Sequence, residues 1–113
     1  MTRAVAVAAH EIPGRPPLRI EPGEVVTAGR NDDEWPAFVY VTSSHGEGWV
    51  PERHLRRDAE AATVVVAYDT TELPVGAGEH LDILEEDRES GWAWCCNAAG
   101  RAGWVPLRVL RPL

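Results

Sequence analysis

A tetrapeptide that occurs twice constrains this chain more than any other feature. Gly48-Trp49-Val50-Pro51 recurs as Gly103-Trp104-Val105-Pro106, 55 positions later. The same offset relates Leu18 to Leu73, Gly23 to Gly78, Glu24 to Glu79, Arg53 to Arg108 and Leu55 to Leu110. A fixed period carried through nine identical pairs marks an internal duplication. The chain is two copies of one small module, with expected domains at 1–57 and 58–113. Each copy is near the lower size limit for independent folding, so the two are expected to pack against each other rather than to behave as beads on a string. The segment Arg56 to Thr63 reads as a short linker, reaching at most ~28 Å when fully extended.

The local pattern is all-β. Apolar runs are short, rich in Val and Trp, and separated by Pro, Gly and acidic clusters, and no window sustains a helical period. In the second copy the expected strands lie near 63–68, 80–85, 91–97, 102–106 and 107–110. In the first they lie near 4–9, 24–28, 37–42, 47–51 and 53–55. Ser43-Ser44-His45-Gly46 and Asn97-Ala98-Ala99-Gly100 read as hairpin turns. Phe38-Val39-Tyr40 aligns with Trp92-Ala93-Trp94 if the first copy's hairpin turn is one residue shorter. Pro51 and Pro106 suit strand ends, because proline has no N–H for a ladder.

Charge narrows the partner classes. The net charge is −7. Residues 1–57 hold seven Arg against eight Asp or Glu, giving −1, and residues 58–113 hold four against ten, giving −6. An acidic chain lacks the basic clusters that phosphate-backbone binding needs, so nucleic acid is not an expected partner. A basic peptide or protein is compatible with it. No stretch approaches the ~20 apolar residues of a membrane span, and no membrane partner is expected. The only cysteines, Cys95 and Cys96, are adjacent. Strand neighbours point to opposite faces, so no disulfide is expected, in keeping with a reducing, cytoplasmic setting.

Catalytic and metal signals are weak. Asp32-Asp33-Glu34 is a polar acidic loop, which reads as solvated surface rather than an acid–base pair. His10, His45, His54 and His80 show no paired metal spacing, and Cys95-Cys96 lacks the ligand separation of a zinc site. His10 and His54 are the one histidine pair that could come together, if the groove geometry described next holds. No nucleophile triad or phosphate-binding glycine loop is present. The expectation is a non-enzyme with no cofactor and no metal.

The second copy resembles an SH3 (Src homology 3) domain. Val66-Ala67-Tyr68-Asp69 is similar to the family's opening Ala-Leu-Tyr-Asp motif, and Leu73-Pro74-Val75 with Gly78-Glu79 to its next stretch. A Trp-bearing strand at Trp92, the Gly103-Trp104-Val105-Pro106 anchor and a last strand at Val109-Leu110 follow in the family's order. Taken over both copies, the chain resembles small bacterial tandem SH3-domain proteins with no enzyme attached. The resemblance implies an all-β fold of two SH3-like five-stranded small barrels in tandem. It also implies binding of a protein or a basic, proline-rich peptide in an aromatic groove.

By that resemblance Tyr68, Trp92, Trp104 and Pro106 line the groove of the second copy, with Trp94 competing for the place of Trp92. Phe38, Trp49 and Pro51 hold the matching places in the first copy. The acids that pair with a basic ligand reduce to Asp69 and Glu72, because the loop from Asp69 to Leu73 is short. The family pattern is departed from at Thr70 and Val109, where aromatics are usual. It is also departed from at His10 and His54, which stand in the first copy where Tyr68 and Val109 stand in the second. The five Trp fit either a groove or a core. The alternative is therefore a structural accessory or oligomerising protein, whose Trp residues pack a domain or dimer interface.

Overall fold

The computed structural model describes residues 2–113. Its strands are β1 (Thr2–Ala6), β2 (Arg19–Ile20), β3 (Val25–Asn31), β4 (Phe38–Ser43), β5 (Gly46–Pro51), β6 (Leu55–Asp58), β7 (Ala61–Val64), β8 (Tyr68–Asp69), β9 (His80–Asp87), β10 (Trp92–Cys96), β11 (Ala102–Pro106) and β12 (Leu110–Pro112). Short 3-10 turns at Glu52–His54 and Leu107–Val109 precede β6 and β12. No α-helix occurs among the described residues, and no helix is long and apolar enough to cross a membrane. The fold is all-β, as expected. The sheets are open runs rather than closed barrels: two of five strands, in the orders β11-β10-β9-β1-β12 and β5-β4-β3-β7-β6, and a two-stranded β2-β8.

The chain forms two compact units. One is Arg15–Thr70, and the other joins the segment up to Gly14 with Thr71–Leu113. These units do not follow the boundary expected at 57/58. The two five-stranded sheets share one order, with β11 matching β5, β10 matching β4, β9 matching β3 and β12 matching β6. The slot between the third and fifth strands is filled crosswise. In the discontinuous unit it holds β1, from the first sequence copy. In the Arg15–Thr70 unit it holds β7, from the second.

The exchange follows from the segment read as a linker. Asp58 pairs with Ala61, Arg57 with Ala62 and Arg56 with Thr63. Only Ala59 and Glu60 are left to make the turn, with Ala59 in the left-handed region at φ 58°. A chain that reverses over two residues lays the next strand beside the last one, so β7 cannot leave the sheet of β6. Its counterpart position in the other unit is then open to β1.

Equivalent hydrogen bonds fix both exchanged strands. The Ala6 N–H donates to Glu79 O at 2.8 Å, and Gly78 N–H donates to Ala6 O at 2.7 Å. In the other unit Val64 N–H donates to Glu24 O at 2.9 Å, and Gly23 N–H to Val64 O at 2.8 Å. Ala6 and Val64 thus occupy the same structural position. The repeated Gly-Glu pairs explain themselves here. Gly23 and Gly78 take φ of 95° and 88°, a region that favours glycine. The Glu24 and Glu79 carboxylates accept the N–H groups of Glu21 and Gly76, three residues back, and so close the turn.

Alternation places the cores. Ala4 and Ala6 of β1 point inward at 0% and 1% exposure. They join Leu73, Val75, Leu81, Ile83, Ala93, Cys95, Val105 and Val109 in one buried cluster, against which Leu107 and Leu110 pack. In the Arg15–Thr70 unit Leu18, Ile20, Val26, Val39, Val41, Val50 and Val64 are buried. The exchange also evens the charge. Arg15–Thr70 holds six Arg and ten acids, −4, and the other unit five Arg and eight acids, −3.

Candidate functional site

The register confirms the alignment of the third strands. Phe38 lies opposite Pro51 and Tyr40 opposite Trp49, while Trp92 lies opposite Pro106 and Trp94 opposite Trp104. Residues two apart share a strand face, so each unit presents two aromatic positions side by side: Phe38 and Tyr40 in one, Trp92 and Trp94 in the other.

The expected groove residues are divided between the units. Tyr68 lies on β8, in the unit of Phe38, Trp49 and Pro51. Glu72, Trp92, Trp104 and Pro106 lie in the other. Beside Trp92 stands His10 instead, with ring centroids 5.4 Å apart and planes at 76°. Tyr68 in turn meets His54, at 5.2 Å and 84°, and His54 Nδ1–H donates to Ala67 O at 3.2 Å. The opening-motif residues have changed places because the segments that carry them follow directly on the exchanged strands β1 and β7. His10 and His54 fall in different units. Among the described residues no group of three or more His, Cys, Asp or Glu could hold a metal ion.

Burial sorts the expected set further. Pro51 and Pro106 are below 2% exposure. Phe38, Tyr68 and Trp104 are also buried, whereas Trp49, Glu72 and Trp92 are half-buried. Edge-to-face packing accounts for the buried anchor: Trp104 meets Trp94 at 5.2 Å and 77°.

Glu72 is held at both its side chain and its backbone. His10 Nε2–H donates to Glu72 Oε1 at 2.9 Å. His10 is itself fixed by paired backbone bonds with Val75, at 2.9 and 3.1 Å. The flanking backbone lies along β11, with Trp104 N–H donating to Thr71 O at 2.9 Å and Leu73 N–H to Trp104 O at 3.0 Å. Gly103 permits this approach. A Cβ there would sit 2.8 Å from the Glu72 carbonyl carbon and from Leu73 N. His10, Glu72, Trp92, Trp94 and Trp104 therefore form one connected cluster in the discontinuous unit. Exposed Glu85 lies across the sheet from Trp94.

The Arg15–Thr70 unit carries residues that the sequence reading did not single out. Tyr40 packs on Trp49 with centroids 5.0 Å apart and planes at 73°. Burial raises the Tyr40 phenol above its usual value, and a hydrogen bond to Glu47 raises it further. Arg15 lies over Tyr40 at 6.0 Å and Arg30 over Trp49 at 5.4 Å. The alignment of Tyr40 with Trp94, beside the repeated Trp49 and Trp104, was the available signal for the ring pair; nothing local marked the two arginines. Elsewhere, burial pushes the Cys95 thiol up to about 11. A hydrogen bond from His45 and one from the Glu21 N–H hold the Glu24 carboxyl below its ordinary value.

Two open sheets of five antiparallel strands, each with a Gly-Trp-Val-Pro strand followed by a 3-10 turn, define a small all-β architecture. Residues 63–113 match the family model of the variant SH3 domain. SH3 domains are in general non-catalytic modules that bind proteins or proline-rich peptides. No solved structure matches the chain. The matched stretch begins within β7 and so takes in strands from both compact units.

Proposed function

We propose that the chain is a non-enzymatic protein-interaction module of the bacterial tandem SH3 type, and that the unit containing His10 and Trp92 binds a basic, proline-rich peptide. One observation carries this reading: half-buried Trp92 and Trp94 share one face of β10, with the carboxylates of Glu72 and Glu85 beside them. Flat indoles accept the rigid rings of a polyproline II segment with little ordering cost. A ligand Arg or Lys then has two acids within the same unit. In this reading His10 stands in for the motif tyrosine, and Glu72 exchanges its bond to His10 for one to the ligand. The expected domains, 1–57 and 58–113, are the duplicated sequence units, which have traded first strands. A cytoplasmic setting belongs to the same proposal, supported by the unpaired Cys95 and Cys96.

The test is titration of the intact protein with a Pro-Arg-rich peptide, followed by Trp fluorescence and by indole N–H shifts. Saturable shifts at Trp92 and Trp94, weakened by salt over a Debye length of ~8 Å at physiological ionic strength, are expected. Absence of binding supports the second reading, a structural accessory protein. That reading is supported by the burial of Phe38, Pro51, Tyr68, Trp104 and Pro106, five of the eight expected ligand residues.

A further inference from the structure

The ring pair of the Arg15–Thr70 unit is flanked by arginines rather than by an acid. Tyr40 and Trp49 are cross-strand partners and stand in the positions of Trp94 and Trp104 in the other unit. The flanking positions differ in sign. Val41 lies opposite Ala28 and Cys95 opposite Ile83, so Arg30, two residues past Ala28, corresponds to Glu85, two residues past Ile83. One ring pair has an acid at its side. The other has Arg30 at one end and Arg15 at the other. Both arginines are exposed, and neither is ion-paired to a carboxylate among the described residues.

A guanidinium stacked on a ring is immobilised by it, and its N–H fork remains able to take a carboxylate in a bidentate contact. We propose that this face docks an extended peptide segment bearing two Asp or Glu side chains with an apolar side chain between them. The apolar group lies on Tyr40 and Trp49, and the two carboxylates meet Arg15 and Arg30. The intervals from Arg15 to Tyr40, to Trp49 and to Arg30 bound the distance between the guanidiniums at about 16 Å. At ~3.3 Å per residue, and with side chains alternating between faces, acids four positions apart span about 13 Å and point the same way.

Other charges of the unit act against this ligand. Glu47 is close enough to help raise the Tyr40 phenol above its usual value, and the unit is net −4. Recognition therefore comes from contact at the two arginines, not from long-range attraction. This inference rests on the reading of the chain as an interaction module, but it uses a different face and a ligand of the other sign.

The experiment uses the intact protein and four peptides: one containing Glu-Thr-Val-Thr-Glu, its Gln-Thr-Val-Thr-Gln counterpart, one with both Glu replaced by phosphoserine, and the Pro-Arg-rich peptide. Binding is read by calorimetry and by the Trp49 indole and arginine Nε signals. The Glu peptide should move the Trp49, Arg15 and Arg30 signals, and the Gln peptide should not. Arg15→Gln and Arg30→Gln should each weaken the Glu peptide about tenfold, the usual scale for a lost charged hydrogen bond, with an unchanged melting temperature. Neither should affect the Pro-Arg-rich peptide. No binding of the Glu peptide, equal binding of the Gln peptide, or indifference to both substitutions overturns the proposal. Tenfold preference for phosphoserine overturns the carboxylate assignment. If only the Glu peptide fails, this site fails alone; if the Pro-Arg-rich peptide fails as well, the interaction-module reading fails with it.

Discussion

Cutting the chain at the repeat boundary should destroy both units, whereas cutting it at the unit boundary should leave one intact. A fragment of residues 58–113 lacks β1, an interior strand of its sheet that pairs with both β9 and β12. Outside the two ladders it loses six backbone hydrogen bonds: Ala6 N–H to Glu79 O, Gly78 N–H to Ala6 O, Val7 N–H to Val109 O, Leu113 N–H to Arg3 O, and the pair between His10 and Val75. At ~1 kcal/mol net apiece these sum to about 6 kcal/mol. A unit of this size holds only about 3–9 kcal/mol in total, before the ladders and the burial of Ala4 and Ala6 are counted. The fragment's own Ala61–Val64 is the one segment that could refill the slot, and it would put Val64 where Ala6 sits at 1% exposure. Two extra carbons in a closed core cost about 1–3 kcal/mol. Residues 1–57 fail for the matching reason, since they lack β7. Residues 15–70 contain every strand of their unit in one continuous stretch. The three fragments should be compared by far-UV circular dichroism, amide dispersion and thermal melting. Only 15–70 should melt cooperatively, and Val64→Ala should improve residues 58–113. A native-like spectrum and cooperative melt from unmodified 58–113, or an unfolded 15–70, would refute the exchange.

Three further outcomes are expected in the intact chain. Gly103→Ala should destabilise by about 1–3 kcal/mol, because the new Cβ meets backbone at 2.8 Å. Gly48→Ala, whose nearest contacts are side-chain carbons of Thr70 at 3.4 Å and Leu18 at 3.7 Å, should be milder; equal denaturation midpoints for the two would contradict the strapped backbone. Trp104→Ala should lower stability by ~3–5 kcal/mol, the range for a buried Trp, and a melting curve like that of the unaltered protein would make Trp104 a surface residue. Burial raises the Cys95 thiol from 9.0 to about 11, so the folded state resists its ionisation. That contribution is present in full below pH 9 and is lost as pH rises through about 11. The two-unit shift corresponds to about 2–3 kcal/mol. Urea unfolding across pH 8–11 should show a steeper loss in the unaltered protein than in Cys95→Ala, and parallel curves would place the thiol in solvent.

Strands β3, β4, β5, β9, β10 and β11 were readable as short apolar runs with their own punctuation, whereas the strands expected at 53–55 and 107–110 are mostly 3-10 turns and the one expected at 63–68 stops at Val64. Ala102–Pro106 is formed as expected, and the alignment of Phe38 with Trp92 is reproduced by their equal pairing with Pro51 and Pro106. The exchange was not readable from the repeat. Identity at a fixed offset tells which segments are alike, and like segments fit either sheet. The deciding fact lay in the supposed linker, where strand pairing takes Arg56–Asp58 and Ala61–Thr63 and leaves a two-residue turn. Once β1 and β7 change sheets, the uneven charge of −1 and −6 between copies becomes −4 and −3 between units. The expected set around Tyr68 and Trp92 comes apart for the same reason. His10 was noted for what it lacked relative to a tyrosine, yet it is the residue that reaches Trp92 and Glu72.

Exchange also changes what divergence between the two copies can do. Each site is a hybrid: the first combines His10 of one copy with Glu72, Trp92 and Trp104 of the other, and the second combines Tyr68 with His54. A substitution in either opening motif therefore acts on the partner copy's aromatic strands and not on its own. His10→Tyr should alter the Trp92 site while leaving the Tyr40–Trp49 face untouched, even though His10 and Tyr40 belong to the same repeat. The ring pairs at Tyr40–Trp49 and Trp94–Trp104 are exempt from this mixing, because both rings of each pair come from one copy. They are the positions where the two copies could acquire opposite flanking charges without disturbing each other. Arg30 in one and Glu85 in the other fit that freedom.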